Sequence, residues 1–118
     1  MLKPLEVVTQ AVKALDSKSA KDITVLRTED ITVIANYFVI CTATSTTHIK
    51  TLTDEVEKVL EDKGEVALRK EGFRSGGWVL IDYGCVLVHV FFEDKRKFYS
   101  LERLWSDAEV VDAGKLLD

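Results

Sequence analysis

The residues of this chain that could do chemistry are few: His48 and His89, Cys41 and Cys85, and an aspartate, Asp82, set in an apolar run. Cys85 and His89 are spaced like a pair of metal ligands. Cys85, however, belongs to a turn tip and His89 to the strand that follows it, and zinc needs further ligands that the neighbouring sequence does not offer. A single imidazole on a strand is more often a hydrogen-bonded structural group than a ligand or base. Two-metal phosphoryl transfer needs several carboxylates converging on one edge. The residue two before Asp82, on the same strand face, is Leu80, so that chemistry is disfavoured. Ser45, Thr46 and Thr47 precede a helical pattern and could hold a phosphate at a helix N-terminus. No glycine-rich loop opens the turn, and the motif is weak without one.

The element that must position His89 and Asp82 is the stretch GGWVLIDYGCVLVHVFF, residues 76–92. Apolar runs on both sides of a glycine-containing turn predict a β-hairpin. With Gly84 and Cys85 as the loop, Tyr83 faces Val86, Asp82 faces Leu87, Leu80 faces His89 and Trp78 faces Phe91. Alternation along a strand then gives two faces. Val79, Ile81, Tyr83, Val86, Val88 and Val90 make one, nearly all aliphatic, and predict core. Trp78, Leu80, Asp82, Leu87, His89 and Phe91 make the other. Large anchors beside one carboxylate and one imidazole resemble the centre of a binding surface. The competing reading is a face covered by a C-terminal helix.

The rest of the chain predicts a scaffold of alternating helices and strands. Leu5, Val8, Val12 and Leu15 recur at helical spacing after Pro4, which suits a first helical turn. Residues 22–26 are a short β-branched strand, and residues 37–41 (YFVIC) a strand apolar on both faces, hence central. Residues 31–35 are ambiguous. Ser45 or Thr46 caps a helix to about Lys63 whose stripe is Ile49, Leu52, Val56, Val59 and Leu60, with Asp54, Glu57, Lys58, Glu61 and Asp62 in water and Gly64 after the last turn. A short strand is expected around Val66–Leu68 in the polar segment 65–77. Phe98, Leu101 and Trp105 recur at helical spacing and would lay Tyr99, Leu104 and Trp105 against the body. Residues 106–118 read as an acidic, partly ordered tail. Strand, capped turn, helix and further strand define an α/β class, a mixed sheet flanked by helices.

The totals agree with one domain of 118 residues. Sixteen Lys and Arg against twenty Asp and Glu give a net charge of −4. That argues against binding exposed phosphate backbone, DNA included, and suits a basic protein partner better. No apolar run approaches the ~18 residues of a membrane span. The two cysteines have no pairing pattern and read as free thiols of a reducing cytoplasm.

Three stretches resemble the ribosomal silencing factor, or Iojap-related, family: ANYFVICTATS at 35–45, GWVLIDYGCVLVHVF at 77–91 and KFYSLERLWSDA at 97–108. They stand in the family's order, and the resemblance covers about residues 3–108, leaving 109–118 as a tail to a single domain. It implies a nucleotidyltransferase-like α/β fold without catalytic carboxylates, hence no enzyme activity and no cofactor. It implies binding of the free large ribosomal subunit through ribosomal protein L-fourteen. Small-subunit joining would then be blocked and translation repressed, with ribosome biogenesis as an associated role. Carried over by motif, the partner-contacting residues are Trp78, Leu80, Asp82, His89, Tyr99, Leu104 and Trp105. The chain departs from the family pattern at Cys85 and Asn36, where aspartate is usual. Two other classes stay open: a nucleotide-binding or nucleotidyltransferase-like enzyme, and a homodimer formed by the same apolar face when no partner is bound.

Overall fold

The computed structural model describes residues 2–29, 35–72, 78–92 and 109–117. In chain order the elements are α1 (Pro4–Ser17), β1 (Lys21–Arg27), β2 (Tyr37–Ala43), α2 (Thr46–Asp62), β3 (Arg69–Glu71), β4 (Trp78–Asp82), β5 (Val86–Phe92), β6 (Glu109–Val111) and α3 (Ala113–Leu117). The strands form one sheet in the order β3-β4-β5-β2-β1-β6. Among the described residues only β2 and β5 run parallel, and the other four pairings are antiparallel. The mixed α/β class is therefore as the sequence predicts.

The hairpin has the expected register, with Trp78 opposite Phe91, Leu80 opposite His89 and Asp82 opposite Leu87. The Tyr83 N–H donates to the Val86 carbonyl at 3.0 Å, and the Cys85 N–H to the Tyr83 carbonyl at 3.0 Å. Closing so tight a loop requires Gly84 at φ +82°, a conformation in which a side chain would be strained. The turn is also tied to the next strand, because the Cys85 carbonyl accepts the N–H groups of Asn36 (2.8 Å) and Tyr37 (3.2 Å).

Both faces of the sheet carry core. On the first, α1 and α2 bury Val8, Val12, Leu15, Leu52, Val56 and Leu60 against Val25, Val39, Cys41, Val79, Ile81, Val88 and Val90. Each large aliphatic side chain removed from water here contributes ~1.5–3 kcal/mol before entropy is counted. On the second face Leu26, Ala35, Phe38, Ile40, Leu87 and Phe91 form a separate buried cluster, with Trp78 and Leu80 packed at its margin. The double-sided burial of β2 follows from its central place in the sheet.

Local signals explain the helix ends. Ser45 caps α2, its Oγ accepting the His48 N–H at 3.0 Å. Pro4 opens α1, and Glu6 reaches back to the Lys3 N–H at 3.1 Å. Two expectations change. The strand expected around Val66–Leu68 lies instead at Arg69–Glu71, and Val66 and Leu68 are exposed. This is the sheet edge, where charged residues protect unpaired backbone. Lys70 reaches Glu57 at 3.1 Å and Arg69 reaches Asp82 at 3.0 Å. Glu57 consequently does not simply face water: its side chain is only 17% exposed. The tail, too, contributes an edge strand, with Val25, Leu26 and Arg27 paired to Val111, Val110 and Glu109.

Candidate functional site

The second face of the hairpin gathers four of the seven residues singled out from the sequence. Trp78 and Leu80 are half-buried on β4, and His89 is buried at 4% exposure on β5. Asp82 lies at the turn end of β4. Tyr99, Leu104 and Trp105 lie outside the described residues.

His89 sits in a nest of rings. Its centroid is 5.2 Å from Phe38, 5.9 Å from Trp78 and 6.1 Å from Phe91, and Trp78 is 5.4 Å from Phe91 with planes 11° apart. Leu80 and Ile40 are its cross-strand neighbours. The indole Nε1–H of Trp78 donates to His89 Nδ1 at 3.2 Å. Nδ1 is therefore the acceptor and the proton of the neutral ring is on Nε2. Nε2 is buried and has no hydrogen-bond partner among the described residues. Burial in this apolar nest pushes the imidazole pKa down to about 4. A neutral ring with its one lone-pair nitrogen occupied is poorly suited to act as a base.

Asp82 is engaged on both oxygens. Oδ2 accepts from Arg69 Nε at 3.0 Å and Oδ1 from the Gly84 N–H at 2.7 Å. On β3, Arg69 and Glu71 stand opposite Asp82 and Leu80 and share their face. Arg69 shares this face and Phe38 and Ile40 form its buried floor; none of the three was singled out from the sequence. Their signal was legible only as strand parity, which cannot place neighbouring strands before the sheet order is known.

The other chemical candidates are also occupied. His48 Nδ1 accepts the Thr44 N–H at 2.9 Å, and its Nε2 lies 2.8 Å from the Lys18 carbonyl, which the ring N–H bonds. That imidazole joins the α2 start to the α1 end. Together with the Ser45 cap, it takes up backbone donors that a phosphate at this turn would need. Cys85, half-buried in the hairpin turn, has its thiol pKa raised by burial, which disfavours the nucleophilic thiolate. Among the described residues no group of three His, Cys, Asp or Glu could hold a metal ion, and no helix is long and apolar enough to cross a membrane. Asn36 and Cys85 are neighbours, the Asn36 N–H donating to the Cys85 carbonyl at 2.8 Å. The Asn36 Nδ2 donates to Glu29 Oε2 at 3.2 Å, where an aspartate would set two carboxylates against each other.

These features define a mixed-sheet α/β protein whose described residues gather an aromatic–imidazole cluster on one sheet face. The family model described as "Ribosomal silencing factor during starvation" matches residues 2–118, and the chain belongs to that family. The ribosomal silencing factor RsfS of Halalkalibacterium halodurans is 40% identical over 107 residues, covering 91% of this chain and 92% of that protein. A crystal structure of a Chromobacterium violaceum protein superposes with a TM-score of 0.86 at 33% identity, covering 89% of this chain and 88% of that one. The mouse protein named for mitochondrial assembly of the ribosomal large subunit is 29% identical over 98 residues, covering 80% of this chain and 43% of its own length.

Proposed function

We propose that this chain silences ribosomes by binding, without chemistry of its own. It docks on the free large ribosomal subunit through ribosomal protein L-fourteen, and its body then occupies space the small subunit needs for joining. Translation falls as a result, and an accompanying role in large-subunit biogenesis fits the same contact. Family membership over residues 2–118 is the observation that carries this reading. The mouse relative, named for assembly of the ribosomal large subunit, supports the choice of subunit.

The docking surface is the second face of the hairpin, with Trp78 and Leu80 as half-buried apolar anchors beside the Asp82–Arg69 pair. Tyr99, Leu104 and Trp105 complete it in this proposal. Half-buried aromatic and aliphatic side chains over a rigid floor are what binding hot spots are made of. The net charge of −4 favours a basic ribosomal protein over bare RNA. The same apolar face can pair two copies across a two-fold axis when no ribosome is present. A cytoplasmic location goes with this function.

The test is sucrose-gradient co-sedimentation with separated ribosomal subunits, for the wild type and Trp78→Ala. Co-migration with the large subunit alone, weakened in the folded variant, is the expected result. Failure to co-migrate at micromolar concentration overturns the reading. The nucleotide-handling alternative predicts a rise in melting temperature with nucleotide and magnesium; a flat response removes it.

A further inference from the structure

We infer that His89 is a positioning residue for Trp78, not a contact for the partner, and that the partner therefore meets Trp78 with an apolar or cationic surface rather than a hydrogen-bond acceptor. This rests on the docking face proposed above. The geometry has three parts. His89 is 4% exposed, so a docking partner does not reach its ring. Its Nδ1 accepts the indole Nε1–H of Trp78 at 3.2 Å, which uses the one polar donor an indole owns. The two ring planes lie within 19° of each other, and Phe91 lies against Trp78 with planes 11° apart, so the indole is held by a hydrogen bond at its edge and a ring alongside.

Nε2 of His89, without a partner among the described residues, points the same way. A buried donor without a partner is a cost that an aliphatic residue would avoid. His89 stands between Leu80 and Ile40, with the rings of Phe38, Trp78 and Phe91 around it. For packing alone, leucine or phenylalanine would serve at least as well. What those residues lack is an acceptor for the indole. Fixing an anchor's rotamer before encounter reduces the ordering cost of association, and this is the role the imidazole fills. An indole whose N–H is already satisfied offers its partner ring area only. Aliphatic side chains, or a lysine or arginine set over the ring, complement it.

The experiment compares His89→Leu with His89→Asn, whose side-chain oxygen can take the place of Nδ1. Three quantities are read: large-subunit binding, the indole N–H resonance of Trp78 (assigned with Trp105→Phe), and thermal stability. His89→Leu is expected to stay folded, to shift the Trp78 indole resonance and to weaken binding at least tenfold. His89→Asn is expected to restore the resonance and to bind within about threefold of wild type. Wild-type binding by folded His89→Leu, with Trp78→Ala still weak, overturns the positioning role and leaves the docking face standing. Unchanged binding by Trp78→Ala as well overturns the face itself. If His89→Leu does not fold, His89→Asn decides alone: a retained indole resonance with binding lost makes His89 a direct contact and overturns the inference.

Discussion

Arg69 Nε lies 3.0 Å from Asp82 Oδ2, while Asp82 Oδ1 accepts the Gly84 N–H at 2.7 Å. One carboxylate thus joins the edge strand β3 to the hairpin and braces the hairpin turn. The Asp82 side chain is 15% exposed and that of Arg69 63%, so the ion pair itself is weak and the bond to the backbone N–H carries more. Asp82→Ala is expected to cost about 1–2 kcal/mol, read by urea denaturation. Arg69→Ala should cost under about 1 kcal/mol. Equal losses in the two variants would show that the turn contact contributes nothing.

His89 makes stability depend on pH. Its folded pKa, about 4, lies below the ordinary 6.5, so between these values the unfolded chain binds more protons than the folded one. Stability from this group is full above pH 6.5 and is lost as pH falls towards 4. The loss between pH 7.5 and 5 should be about 2 kcal/mol. His89→Leu should flatten that part of the profile, as measured by denaturation midpoints across the range. An unchanged slope would mean that the imidazole titrates normally.

Gly72 backs directly onto the anchor strand. It sits at φ +94°, and a Cβ added there would clash with the Trp78 carbonyl oxygen. Backbone on both sides leaves little room to yield. Gly72→Ala should destabilise by at least ~2 kcal/mol. By shifting β4 it should also disturb the Trp78 indole resonance. A variant of native stability and spectrum would refute the close approach.

Tyr83 presents the opposite case. Its hydroxyl is buried without a partner among the described residues, and burial, followed by Glu57, Glu61 and Glu65, raises its pKa beyond the ordinary tyrosine range. Removing a buried, unsatisfied hydroxyl is neutral or favourable. Tyr83→Phe should therefore leave stability unchanged or raise it by up to ~1 kcal/mol. A clear loss in thermal denaturation would reveal a bound water or an Oη contact with Glu57.

Trp78 and Phe91 separate anchoring from packing on one face. Phe91 is 1% exposed, and Phe91→Ala should cost about 3–5 kcal/mol of folding free energy. Trp78 is half-buried at the margin of the same cluster. Trp78→Ala should cost less stability but weaken large-subunit binding by ~2 kcal/mol. Co-sedimentation beside calorimetry distinguishes the two; a reversed pattern would exchange their roles.

The sequence by itself determined the parts of this protein that depend on neighbours along the chain. The alternation of Trp78, Leu80 and Asp82 with Val79 and Ile81, together with Gly84 at the turn, set the hairpin register, because a one-residue slip would turn the aliphatic face outward and the short glycine loop excludes longer slips. Ser45 fixed the start of α2 through a bond three residues long. The run YFVIC marked β2 as central, because only a strand covered on both sides can be apolar on both. The tertiary structure alone decided what meets across the sheet. Strand order set Ile40 beside His89 and Arg69 beside Asp82, pairs far apart in the chain. It made β3 an edge, so that three charged residues form a strand while Val66 and Leu68 stay exposed. It also divided the second face into a buried floor and a half-exposed margin. Residue type does not separate Phe91 from Trp78, since both are aromatic and cross-strand partners; burial depends on how many layers lie above each, and that is a property of the assembled sheet.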